Sequence, residues 1–262
     1  MTAPSSITEL WLQETPDGDA SAWYEKSTTY WHDVPATVGG VLGGFGHLSG
    51  VDVKESSEFV RRVVGSLRHA TKAPAVAPTV LFKRALDCGA GVGRTAKALL
   101  APMCATVDLL EQDAKFLAKA ERDMPPGKAG HFFCQSLQLF EPSEQYQLVW
   151  VQWVLNYLTD ADLLVFLRRV AAALTPDGVL FVKENMLASE RESDCAYDAE
   201  DSSVTRSEAG FRAIFAAARL RVVERDVQKQ FPAGMLPVRM YALVREPATP
   251  EEREETVVEK PS

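Results

Sequence analysis

Gly89, Gly91 and Gly93 follow Asp87 in the run Ala-Leu-Asp-Cys-Gly-Ala-Gly-Val-Gly-Arg, residues 85–94. Glycines spaced this way after a short apolar run let the chain turn sharply, and they let a ligand approach the backbone with no Cβ in the way. A helical pattern follows from Val92 to Leu100. The start of such a helix offers N–H groups without intrahelical partners, which suit the anionic end of a ligand. About 20 residues past this turn, Glu111 closes a strand-like run beginning at Thr106. A carboxylate at that place is positioned to accept from both hydroxyls of an adenosine ribose.

The glycine spacing separates two chemistries. Nicotinamide and flavin sites favour G-x-G-x-x-G, where the last glycine permits close helix packing. This chain has G-x-G-x-G with an acidic residue two positions ahead. That form resembles the first motif of class I S-adenosylmethionine-dependent methyltransferases. A unit binding NAD, or a strand–turn–helix with no ligand, stays open on these two elements alone.

Strand-like runs at Val80–Cys88, Thr106–Glu111, His131–Gln135, Gln147–Trp153, Val179–Glu184, Leu220–Val227 and Val238–Val244 would position these residues. Helical patterns fall between them at Ala96–Leu100, Ala114–Arg122, Asp160–Leu174 and Ser207–Ala218. Such alternation implies a parallel sheet with helices on both faces. The last two runs are joined by a short helix-breaking link, residues 230–237, and should pair antiparallel at the sheet edge. Two segments stand outside the alternation. Residues 22–53 are dense in aromatics and glycine; residues 185–206 are polar and acidic. Long irregular segments of this kind are commonly functional.

The 262 residues suffice for one large domain with a substantial core. A formal net charge of −8 argues against nucleic acid as a partner and favours a basic or amine-bearing substrate. No apolar run reaches membrane-spanning length, and the first residues lack a signal-peptide pattern, so no membrane partner is expected. Cys88, Cys104, Cys134 and Cys195 show no metal-binding spacing. They read as reduced, buried, small apolar residues of a cytosolic or nuclear protein.

Narrower motifs accompany the glycine turn. They are Tyr30-Trp31 with Pro35, Thr37 and Val38, then Leu42-Gly-Gly-Phe-Gly-His-Leu-Ser49, Gln152-Trp153, Leu158-Thr-Asp160 and Phe166-Leu-Arg-Arg169. Lys183-Glu-Asn-Met186 and Asp201-Ser-Ser-Val204 complete the set. Together, over about Trp23 to Leu243, they resemble the protein α-N-terminal methyltransferases, which methylate the α-amino group of proteins beginning Xaa-Pro-Lys/Arg.

The resemblance implies an α/β, Rossmann-like class I methyltransferase fold. It would have a mostly parallel seven-stranded sheet with an antiparallel edge and an N-terminal helical lid. Residues 1–21 would form a mobile N-terminus and 22–245 a single methyltransferase domain with 22–53 as the substrate lid. Residues 246–262, rich in Glu, Pro and Thr, would form an acidic disordered tail.

For S-adenosylmethionine, the resemblance places Gly89 and Gly91 under the methionine part, Arg94 on its carboxylate and Glu111 on the ribose. Leu137 and Gln138 would flank the adenine, with Gln152 near the methionine amine. Trp31, Leu42, Gly43 and Leu48 would close over the peptide, and Trp153 would wall its proline. Asn185 and Asp201 would bind the α-ammonium and take its proton, while Asp198 and Ser203 would meet the following Lys or Arg. Partners would be basic protein tails, such as those of ribosomal or chromatin proteins, in cytoplasm and/or nucleus.

The chain departs from the family pattern in places. Glu111 stands where Asp is usual, Tyr157 where many relatives have His, and Ala233-Gly-Met-Leu-Pro237 where an Ile-Tyr pair is common. Two other readings compete: a small-molecule N- or O-methyltransferase on the same fold, and a cofactor-binding adaptor without catalysis.

Overall fold

Strand β1 (Phe82–Cys88) is buried from Ala85 to Cys88, as expected of a central parallel strand covered on both faces. In the computed structural model, which describes residues 4, 6–70 and 80–247 (68–70 as backbone only), β1 lies inside a seven-stranded sheet. β1 pairs in parallel with β2 (Cys104–Glu111) and β4 (Tyr146–Gln152); β2 pairs in parallel with β3 (Ala129–Cys134), and β4 with β5 (Leu174–Asn185). The antiparallel edge is made by the last two strands. β9 (Val238–Arg245) is slotted between β5 and the outermost β8 (Leu220–Val227), giving the order β3-β2-β1-β4-β5-β9-β8.

Helices close both faces. α6 (Asp160–Ala173) and α7 (Glu208–Ala217) bury Phe166, Leu167, Phe211 and Phe215 on one side. Thr159 caps α6 by accepting from the Asp162 N–H at 3.2 Å. On the other side lie α5 (Ala114–Asp123), capped by Asp113, a wide-turned segment at Ala96–Leu100 and the long α4 (Ser49–Ala70). The strand ends of β1, β2 and β4 thereby open onto one crevice, the usual ligand position in such sheets.

The structure corrects three expectations. The segment expected to be a mobile N-terminus, residues 1–21, holds a packed helix from Ile7 on. α1 (Ile7–Glu14) is capped by Ser6, its Leu10 is fully buried, and Trp11 meets Trp23 edge-on at 4.9 Å. Those apolar residues had a surface to cover and folded onto it. Residues 22–53 are largely helical, in keeping with the expected helical lid: α2 (Ser21–Asp33), the single turn α3 (Val38–Val41) and the start of α4. Residues 185–206 contain a two-stranded ribbon, β6 (Cys195–Asp198) and β7 (Ser203–Arg206), with α1 packed against it. The cysteines also divide: Cys88 and Cys104 are buried, Cys195 is half-buried and Cys134 is exposed. Most of the expected acidic tail, from 248 on, lies outside the described residues. Among the described residues no helix is long and apolar enough to cross a membrane.

Candidate functional site

β1 delivers Asp87 to the glycine turn, where Gly91 takes φ +53° and a Cβ would point into a cavity, meeting only Val41 at 3.5 Å or more. Backbone is therefore exposed to a ligand there. Gly93 has a different task. A Cβ at that position would come within 2.8 Å of the Ala120 Cβ, so the glycine lets α5 pack against the turn. Gly89, Gly91, Arg94 and Glu111 line the cavity on this side, and Leu137, Gln138 and Gln152 line it further along.

Glu111 ends β2 and is 8% exposed. One carboxylate oxygen accepts from the Gly91 N–H at 2.8 Å and the other from the Asp113 N–H at 2.9 Å. Each oxygen keeps lone-pair capacity for a ribose hydroxyl. The extra methylene relative to Asp is taken up in reaching Gly91. Burial raises the Glu111 pKa above the ordinary carboxylate range, with the two backbone N–H groups opposing. Asp87 is pushed further by burial, to about 7, although the Arg94 charge pulls the other way; its Oδ2 is buried with no partner. Asp87 also lines the cavity.

Arg94 and Gln152 meet at a residue that sequence reasoning passed over. Asp52, in the first turn of α4, is 1% exposed and pairs with Arg94 Nη1 at 2.5 Å and with Lys183 Nζ at 2.5 Å. The Gln152 amide donates to both of its oxygens, at 3.0 and 3.1 Å. Burial opposes ionisation of Asp52, but Lys183 and Arg94 together hold its carboxyl below the usual range. Lys183, fully buried on β5, also donates to Ser56 and Gln228.

The cavity then turns toward the lid. Trp31 on α2 meets Phe116 and Tyr157 edge-on, at 6.5 and 5.8 Å, and Leu42 and Trp153 complete this wall. Trp153 follows directly after β4 with φ +55°, a left-handed conformation costly for a bulky residue. Its N–H donates to the Lys183 carbonyl, and its ring lies between the Arg94 guanidinium at 5.6 Å and Phe231 at 6.5 Å. The indole is thus fixed in place, and its Nε1 is buried without a partner. Phe231, on the β8–β9 link, was not anticipated.

Asp201 is not among the cavity-lining residues but touches one of them. The hydroxyl of Tyr157, a lining residue, donates to Asp201 Oδ2 at 2.9 Å, while Asp201 Oδ1 is buried with no partner. Burial, then the Asp201 charge, raise the Tyr157 pKa well above its ordinary value, so the phenol stays a neutral donor. Asn185 ends β5. Its N–H donates to Glu184, and its carbonyl accepts from Asn156 Nδ2 at 3.2 Å. Glu184, pushed to about 7 by burial, also accepts from the Leu155 N–H. Both Asn185 contacts are made by its main chain.

Asp198 and Ser203 face each other across the ribbon; Asp198 is exposed and accepts from the Glu200 N–H. Tyr30 on α2 has its pKa raised by burial and by the carboxylates of Asp201, Glu200 and Asp198. Gly43 and Leu48 are not among the cavity-lining residues. Gly43 forms an exposed turn at φ +57°, and Leu48 is buried at the base of α4. Among the described residues no cluster of His, Cys, Asp or Glu could hold a metal ion.

The sequence profile of the AdoMet-dependent proline di-methyltransferases matches residues 19–244. The alpha N-terminal protein methyltransferase 1 of Drosophila melanogaster is 41% identical over 85% of this chain and 76% of its own length. The N-terminal Xaa-Pro-Lys N-methyltransferase 1 of Bos taurus is 37% identical over 86% and 96%. The solved structure of a SAM-dependent methyltransferase from Leishmania major superimposes with a TM-score of 0.77 at 36% identity, covering 93% of this chain and 97% of that one.

Proposed function

The chain belongs to the S-adenosylmethionine-dependent α-N-terminal protein methyltransferases, and on that premise we propose that it acts on proteins beginning Xaa-Pro-Lys or Xaa-Pro-Arg, with Asp201 as proton acceptor. One observation carries the choice of Asp201. Its Oδ2 is held by Tyr157, a residue of the cofactor cavity, while Oδ1 is buried and unpartnered. A buried carboxylate oxygen without a donor suits an incoming ammonium.

When bound, S-adenosylmethionine supplies a methyl group on a sulfonium, open to in-line displacement by an amine lone pair. In this reading Glu111 holds the ribose, Arg94 the methionine carboxylate and Gln152 the methionine amine, with Gly89 and Gly91 giving the backbone approach. Leu137 and Gln138 flank the adenine. An α-amino group has a reference pKa of about 7.7–8.0, so much of it arrives protonated. Asp201 accepts that proton at Oδ1, and the Asn185 side chain orients the amine.

Trp153, Trp31 and Leu42 form the wall for proline at position two, with Gly43 and Leu48 shaping the lid behind it. Proline has a fixed φ and no N–H, so an apolar wall leaves no donor of it unsatisfied. Asp198 and Ser203 receive the basic third residue. Basic tails of ribosomal or chromatin proteins, in cytoplasm or nucleus, fit this class and the acidic net charge.

Peptides test the assignment. Ser-Pro-Lys should be methylated, and its N-acetylated form should not. Ser-Ala-Lys should lose roughly 5- to 150-fold in kcat/KM, the range for one unpaired buried donor. Ser-Pro-Gln should also lose, by an amount that shrinks with salt. Equal kcat/KM for all three free peptides would sink the Xaa-Pro-Lys reading while leaving the family assignment untouched.

A further inference from the structure

Asp52 concentrates more charge than its place in the first turn of α4 requires. It is 1% exposed, and its two oxygens serve Arg94, Lys183 and Gln152 at once. These partners come from separate parts of the fold: the glycine turn, β5 and β4. Lys183 is fully buried and is further tied to Ser56 and Gln228, at 2.9 and 2.5 Å. A buried ion pair of this kind contributes little net stability compared with apolar packing, so its energy alone does not account for it.

Its placement does account for it. Arg94 and Gln152 line the cofactor cavity, whereas Lys183 does not. Asp52 engages Nη1 of the guanidinium and so fixes the plane of the fork, which offers further donors in a rigid geometry. It also takes the Gln152 amide. The Gln152 Oε1 accepts from Trp150 Nε1 at 3.0 Å, so the carboxamide is held from both ends. Lys183 then balances the carboxylate from the far side.

We propose that Asp52 is a positioning residue for the amino-acid end of S-adenosylmethionine, setting Arg94 and Gln152 in register. The Asp52 charge has a second effect. Arg94, Lys183 and Asp52 together carry one net positive charge; without the carboxylate they carry two. S-adenosylmethionine is itself net positive through its sulfonium and ammonium, whereas S-adenosylhomocysteine, lacking the sulfonium charge, is neutral overall. Loss of Asp52 therefore penalises the former more.

This inference rests on the roles given above to Arg94 and Gln152, and a calorimetric double-mutant cycle separates the two. Affinities for S-adenosylmethionine and S-adenosylhomocysteine are measured for wild type, Asp52→Asn, Arg94→Ala and the double variant. Asp52→Asn should weaken S-adenosylmethionine binding roughly ten- to a hundredfold, the range for groups that orient a ligating side chain. S-adenosylhomocysteine should weaken less, and the apparent cofactor KM should rise more than kcat falls. In the Arg94→Ala background the Asp52 change should cost markedly less than it does alone, because coupled sites are not additive.

Asp52→Glu keeps the charge and should recover part of the affinity. Should Asp52→Asn fail to fold, the same cycle is run with Asp52→Glu and Arg94→Lys. Additive losses, or unchanged affinity in a folded Asp52 variant, overturn the proposal. Unchanged affinity in Arg94→Ala alone overturns instead the placement of Arg94 on the cofactor.

Discussion

On the cofactor side, Glu111 accepts from Gly91 and Asp113, and Asp52 gathers Arg94, Gln152 and Lys183. On the side proposed for the peptide, Trp153 Nε1, Asn156 Oδ1 and Asp201 Oδ1 are buried without a partner. Two non-glycine residues there, Trp153 and Ser202, also sit at positive φ. An unsatisfied buried polar atom costs about 1–3 kcal/mol, and left-handed backbone at such residues costs a similar amount. The first half is therefore a finished receptor, braced before its ligand arrives. In the proposed function, the second half carries unmet donors and acceptors that a correct peptide terminus would satisfy and a wrong one would not. On that reading affinity is built into one side and discrimination into the other.

The contrast can be broken most severely at Asp201. Asp201→Asn should lower kcat by about 10²–10⁴-fold, as for loss of a positioned base, while cofactor affinity stays within a few-fold. A variant turning over near the wild-type rate would show that another group takes the proton. Removing the brace is gentler. Tyr157→Phe deletes one hydrogen bond to a carboxylate, so kcat should fall roughly 10- to 150-fold with Asp201 still present; steady-state rates with saturating cofactor decide this.

On the other half, Glu111→Ala should weaken S-adenosylmethionine by about 5- to 150-fold in calorimetry. Gly91→Val should act in the same direction by filling the approach. No change in either would remove the cofactor from this cavity.

The smallest effect sharpens the comparison, because it concerns an unpartnered atom on the braced side, Asp87 Oδ2. Burial pushes Asp87 up to about 7, so its carboxyl is mostly neutral at pH 6 and mostly charged at pH 8. A net-positive cofactor favours the charged form. Binding should then release a proton, and affinity should rise with pH through 7 by at most about tenfold per unit. Asp87→Asn should flatten that slope. A wild-type slope that survives the substitution would assign the titration elsewhere.

The same two halves differed in how far they could be read from sequence. The glycine turn, Glu111 and Gln152 lie at the ends of strands whose apolar runs announce them, and the strands of the main sheet formed where those runs occur. α4 was missed. Its buried face continues as Phe59, Val60, Val63 and Val64, but its first turns bury Asp52 and Ser56, which face Lys183 and break the apolar period. The ribbon was missed for a related reason. Its turn holds Ser202 at φ +53° with no glycine or proline to mark it, and its inward residues, Val204 and Arg206, look unlike a core pair. Arg206 is buried because Asp160 and the carbonyls of Leu155 and Leu158 receive it. Long-range polar pairing of this kind leaves no local period to find.

The β6–β7 ribbon is hydrogen-bonded as a sheet only to itself, and two strands alone are marginal in water. Trp11, Trp23 and Leu10 hold it down through its own Tyr197, stacked on Trp23 at 5.7 Å, and Val204. With Asp201, on the turn of this ribbon, as the proposed proton acceptor, observed turnover would be the intrinsic rate multiplied by the population in which the ribbon is docked. While docking is favoured by several kcal/mol, a lesion in α1 that removes 1 kcal/mol leaves that population near unity. Once the margin is exhausted, each further 1.4 kcal/mol lowers it about tenfold. Activity should therefore respond to damage around Trp11 as a threshold, and amide exchange at Tyr197 and Val204 would report how much margin is left before it is crossed.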